Sequence, residues 1–243
     1  MGQDSGAMAP EPKHFKRPRA PKEVRTPYDG IRPHSALSHF IGILLSVAGL
    51  VLLEVAALLY GNVWHIVSFG IYGVSLIGLY TASTFYHILP LKERGRWVLR
   101  VIDHMMIYIL IAGTYTPICL VALRESGAWG WAIFGVIWGC AAAGLAITVI
   151  FKNTPRIVSS IVYIVMGWIV IIAFWPLSQR ISMGGIGWLL GGGLFYTVGG
   201  VLYGLKWPGK NNARFGFHEV FHIFVMCGSI CHYMLMLLYI VKL

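Results

Sequence analysis

Charge is the first thing this chain is short of. Asp, Glu, Lys and Arg together make up 12% of its 243 residues, nine residues in all are acidic, and 57% of the side chains are hydrophobic. So small a polar complement cannot cover a soluble domain of this size, which leaves a bilayer as the main solvent. Cysteine is scarce as well. Cys119, Cys140, Cys227 and Cys231 all fall within apolar stretches, without the pairing of a disulfide framework or a thiolate metal site, and packing is their expected role. Nucleic acid is not an expected partner either. Although the formal net charge is +10, the basic residues stand in short clusters between long apolar runs, the pattern of membrane topology and not of a continuous basic face.

What the chain has is length of apolar sequence. Met1 to about Pro33 is rich in Pro, Lys and Arg and reads as a disordered, basic, cytoplasmic tail, and residues 34–243 read as one membrane domain. Seven runs follow, Leu37–Tyr60, Trp64–Leu89, Val101–Leu123, Trp129–Ile150, Ile157–Leu177, Gly185–Leu205 and Phe215–Val241. Each is near the ~20 residues that carry a helix across ~30 Å of hydrocarbon. The fold class is therefore an all-α integral membrane protein, a seven-transmembrane helix bundle. Pro117 should kink the third helix, and Gly191-Gly192-Gly193 reads as close helix packing. Sixteen of the nineteen Lys and Arg residues fall on the tail and the second, fourth and sixth loops, leaving Arg124, Arg180 and Lys242 for the other side. By the positive-inside rule the N-terminus is cytoplasmic and the C-terminus outside.

Orientation gives each polar residue a depth, and several coincide. In Phe215-Gly216-Phe217-His218-Glu219-Val220-Phe221-His222, two histidines four apart share one face of the last helix, about 5–6 Å apart at Cβ, which is half a zinc site. The string also matches the H-E-x-x-H of metalloproteases, in which Glu219 would be the general base. Ser83 and His87, again four apart, close the second span, and Asp103 opens the third. Three helices thus bring Ser, Asp and three His to one level near the cytoplasmic surface, where ionisable groups are costly and mark function. Three His suit an open tetrahedral zinc site with water in the fourth position; Asp103 can accept a proton from that water and Ser83 can orient it. Bland roles compete residue by residue, with Asp103 pairing with Arg100 and Ser83 bonding back to its own helix. His39 is read as interfacial, with a spare ligand or a donor to the site as its alternatives. His104 lies about 100° round the helix from Asp103. Glu54 sits in the outer half of the first span, and His65 and His232 lie towards the outer end with no functional reading.

Ser83-Thr84-Phe85-Tyr86-His87, Asp103-His104 running into Ala112-Gly113-Thr114-Tyr115-Thr116-Pro117, and His218-Glu219-Val220-Phe221-His222 resemble, in order and spacing, the three motifs of the haemolysin III family. That family is related to the progestin and adipoQ receptors and more distantly to the alkaline ceramidases. The resemblance covers roughly Ser35 to the C-terminus. It implies zinc bound by His87, His218 and His222, with Asp103 and Ser83 holding the zinc-bound water as catalytic residues, and an N-terminus inside, which the charge count reaches independently.

Three functions follow as expectations. The first is a zinc hydrolase acting on an amide or ester bond of a lipid at inner-leaflet depth, with membrane lipids as partners and a lipid amide or fatty acid as ligand. The second is a non-catalytic homeostasis or sensing protein in which zinc ties helices together. The third is the pore formation that the family name suggests, for which Glu54 is the one hint of a polar path. The expected location is a bacterial inner (cell) membrane, crossed several times.

Overall fold

The computed structural model describes residues 31–151, 155–209, 212 and 215–243. The tail as far as Gly30, and Lys152, Lys210 and Arg214 of the basic count, lie outside the described residues. All regular structure among the described residues is helical. The helices are α1 (Pro33–Tyr60), α2 (Val63–Ile88), α3 (Glu93–Pro117), α4 (Trp129–Ile150), α5 (Arg156–Trp168), α6 (Phe174–Ser178), α7 (Met183–Leu205) and α8 (Phe217–Leu238). With a 3₁₀ turn Ile169–Ala173 joining α5 to α6, seven helical segments are long and apolar enough to cross a membrane. The protein is a multi-pass membrane protein.

Contacts between loops show which of them share an end of the bundle. The Arg32 backbone N–H donates to the His87 carbonyl (3.0 Å) and its guanidinium to Glu219 (3.0 Å). The start of α1, the end of α2 and the start of α8 therefore lie together. At the opposite end Arg180 donates to Glu125 (3.0 Å), Arg124 covers the Trp64 ring (5.1 Å), and His65 Nε2 meets the Ile240 carbonyl (3.2 Å). Those contacts join the α1–α2, α3–α4 and α6–α7 turns to the C-terminal segment. This is the partition of loops that an odd number of crossings demands.

α3 is the central element, with 72% of its apolar window buried against 22% for α4. It starts at Glu93, eight residues before the apolar run at Val101, because the charged turns Glu93–Arg100 continue the helix beyond the hydrocarbon where hydropathy alone reads a loop. Pro117 does disturb it. The chain passes into a π-type turn, Ile118–Ala122, a wider turn that relieves the clash of a proline ring with the preceding carbonyls. α5 breaks opposite, where the Tyr115 hydroxyl donates to the Gly167 carbonyl (2.6 Å) and accepts from the Val170 N–H (2.8 Å), a side chain inserted into the helical ladder. In the glycine run of α7, Gly192 is held against the His232 ring, whereas Gly191 faces open space.

One close approach positions the site. A Cβ on Gly42 would lie 2.8 Å from the Tyr80 ring, so glycine there lets α1 lie against α2. Tyr80 in turn meets His39 edge-on, with ring centroids 5.0 Å apart. Gly42→Ala is expected to destabilise the bundle by about 1–3 kcal/mol through overpacking. Thermal unfolding in detergent checks this, and an unchanged midpoint would show that α1 is free to shift.

Candidate metal centre

The site is built where α2 ends and α8 begins. Leu89-Pro90 stops α2 one residue after His87 and five after Ser83, because a residue before proline disfavours the helical region. α8 opens at Gly216, whose N–H donates to the Glu219 carboxylate (2.8 Å), and a carboxylate in the first turn also complements the helix dipole. This cap sets the register of His218 and His222.

The three histidines meet. His218 Nε2 lies 3.0 Å from His87 Nε2 and 3.1 Å from His222 Nε2. One ligand atom from each of His87, His218 and His222 fits within 4.8 Å of the other two, a group that can hold a metal ion. Protons cannot account for this convergence. A ring nitrogen has one in-plane position, either an N–H or a lone pair, so His218 Nε2 cannot satisfy both neighbours at once. A cation can use all three lone pairs together. Tetrahedral ligands at 2.0–2.1 Å stand about 3.3 Å apart, a few tenths of an ångström beyond the two spacings observed here. The chemistry of the donor set therefore fits a metal.

Ser83 is buried and hydrogen-bonds the Asp103 carboxylate. Both line a cavity of about 180 Å³ whose wall also carries His218 and His222. Thus the structure brings Ser83, Asp103, His218 and His222 to one chamber, and His87 joins the cluster through its contact with His218. The cavity continues along α3 as far as Ile118, so its lining from Trp97 covers about 30 Å of helix. Most of that wall is apolar.

Other sequence readings change. His39 is not interfacial: it is 3% exposed, stacked on His222 with centroids 3.7 Å apart, and both its ring nitrogens lack a hydrogen-bond partner. The polar sequence around it, Ser35 to His39, looked like an interface because its burial comes from α8, which hydropathy cannot register. Glu219 is not poised over the histidines as a protease-like base. Its oxygens are engaged by Arg32 (3.0 and 3.3 Å), the Ser35 hydroxyl (3.0 Å) and the Gly216 N–H. His104 Nδ1 meets the Arg100 carbonyl (2.8 Å), so that ring is turned along its own helix. His65 and His232 are buried and bonded to carbonyls of Ile240 and Leu189. Sequence reasoning missed Arg32, which it counted among the tail's cations; Pro33, suited to the first turn of a helix, was the available signal that the tail ends there.

Comparison with known proteins gives the chain its relatives. Residues 33–233 match the family described as "Haemolysin-III related". The "Hemolysin-3 homolog" of Bacillus subtilis (strain 168) is 40% identical over 209 residues, covering 86% of this chain and 93% of the relative. "Hemolysin-3" of Bacillus cereus is 36% identical over 208 residues, covering 85% and 90%. The human "Monocyte to macrophage differentiation factor" is 30% identical over 181 residues, covering 70% and 69%.

Proposed function

The chain belongs to the haemolysin-III-related family, and from that premise we propose that it is a zinc-dependent hydrolase of the bacterial inner membrane, cleaving an amide or ester bond of a membrane lipid. The observation that carries the reading is one cavity with two characters. Ser83, Asp103, His218 and His222 stand in its wall, and mostly apolar residues of α3, α5 and α7 line the rest. A lipid can place its carbonyl at the first and its acyl chain along the second. Zinc held by His87, His218 and His222 would polarise that carbonyl and lower the pKa of a water toward about 7. Asp103, orientated by the Ser83 hydroxyl, takes the proton of the attacking water and returns it to the leaving amine or alcohol. The apolar wall excludes bulk water and holds the chain. A fatty acid is the product.

The test is metal analysis of the purified protein, followed by a screen of lipid extracts for released fatty acid. About one zinc per chain and zinc-dependent release are expected; a protein that takes no zinc, or takes it and releases nothing, overturns the hydrolase.

Orientation belongs to the same proposal. Lys92, Arg94, Arg96 and Arg100 stand at the end of the bundle that holds the histidines, and Arg124 and Arg180 at the other, so the positive-inside rule puts the site on the cytoplasmic side. A reporter fused after Leu243 is expected to register outside, and one placed in the loop of residues 206–214 inside. The reverse pattern would move the site to the outer leaflet.

A further inference from the structure

We propose that Arg32 is a positioning residue of the metal centre, a clasp that sets the separation of the helices carrying the ligands; this rests on the metal reading above. The ligands come from two elements far apart in the chain. His87 lies one residue before the end of α2, and His218 and His222 occupy the first two turns of α8. Helix ends fray unless something holds them, and these two carry the ligands at the places where fraying starts. Among the described residues, Arg32 bonds to both. Its backbone N–H donates to the carbonyl of the ligand His87 itself (3.0 Å). Its guanidinium meets both oxygens of Glu219, the residue between the two α8 ligands (3.0 and 3.3 Å).

The far side of the clasp is stiff. Glu219 is 3% exposed, and its carboxylate also accepts from the Ser35 hydroxyl (3.0 Å) and from the Gly216 N–H that caps α8 (2.8 Å). Ser35 stands three residues after Arg32 in the first turn of α1, so two side chains of one helix start grip one carboxylate. One guanidinium nitrogen, Nη1, reaches both carboxylate oxygens, and the delocalised, weakly hydrated guanidinium is better suited than an ammonium to a partly buried ion pair. A buried carboxylate that lost its cation would be driven to move. That movement shifts the α8 cap, and with it the register of His218 and His222 toward His87. The clasp touches no ligand nitrogen. It acts on where the imidazoles stand.

The experiment uses the full chain in detergent, stripped of metal and titrated with zinc, and separately with cobalt(II), whose visible absorption reports ligand geometry. Arg32→Ala is expected to weaken zinc binding about 10–100-fold, the usual effect of removing a group that holds ligands in place, and to alter the cobalt spectrum. Arg32→Lys, which keeps the charge on a shorter and more strongly hydrated side chain, should lie between it and wild type. Combining Arg32→Ala with Glu219→Gln should cost little more than the worse single change, because the two act as one unit. Glu219→Gln keeps an acceptor for the cap and serves if Arg32→Ala does not fold. A merely structural clasp would lower the melting point of the metal-free protein yet leave zinc affinity and the cobalt spectrum as in wild type, and that result overturns the proposal. Wild type taking no metal would overturn the metal reading itself, a different outcome visible before any variant is made.

Discussion

Replacing His87, His218 or His222 with alanine is expected to remove stoichiometric zinc and, with it, most of the metal's contribution to thermal stability. The size of the effect follows from the geometry. The two Nε2 separations of 3.0 and 3.1 Å hold three donors where one ion can use them together, and two imidazoles do not complete such a site. A metal present at 1,000 times its dissociation constant stabilises the folded state by about 4 kcal/mol, and this is what a ligand variant forfeits. The measurement is zinc content by mass, alongside melting points with and without added zinc. If His87→Ala keeps full occupancy, the third ligand is another residue, and His39, stacked on His222 at 3.7 Å, becomes the first to test.

The spans were legible because seven apolar runs in a bilayer need nothing but length. Charge divides the loops into two sets, and the contacts of Arg32 and Arg180 group the described loops they join in the same way. The approach of His87, His218 and His222 to one another was legible for a related reason: depth along a helix can be counted from its ends, so His87, Asp103 and His218 could be placed at one level before any packing was known. What could not be read was direction around each helix. His39 and Glu219 sit at the right depth, yet one is buried against His222 and the other is turned away into a cap and an ion pair. Rotation is decided by neighbouring helices, here by α1 lying close enough at Gly42 to reach Tyr80. α3 was misjudged at its start for a different cause. A helix that runs past the hydrocarbon gains charge without losing its hydrogen bonds, and Glu93–Arg100 has the composition of a loop with the backbone of a helix.

Asp103→Asn is expected to leave zinc in place and abolish turnover, which separates a hydrolase from a protein whose metal is purely structural. Asp103 is not among the residues whose donors converge; it lies in the cavity wall, hydrogen-bonded by Ser83. Asparagine keeps the shape and can still accept from Ser83, so fold and metal affinity should stay close to wild type. It cannot take a proton. Loss of a general base lowers the rate by about 10²–10⁴-fold, large enough to read in a fatty-acid release assay on any lipid that wild type cleaves. Glu219 cannot substitute, since Arg32, Ser35 and the Gly216 N–H already engage its carboxylate. Ser83→Ala should fall between, because it frees the Asp103 carboxylate to rotate without removing it. If Asp103→Asn turns over lipid as fast as wild type, the base lies elsewhere in the cavity. If neither releases fatty acid from any lipid while zinc raises the melting point of both, the metal ties α2 to α8 and the chemistry proposed for it does not occur.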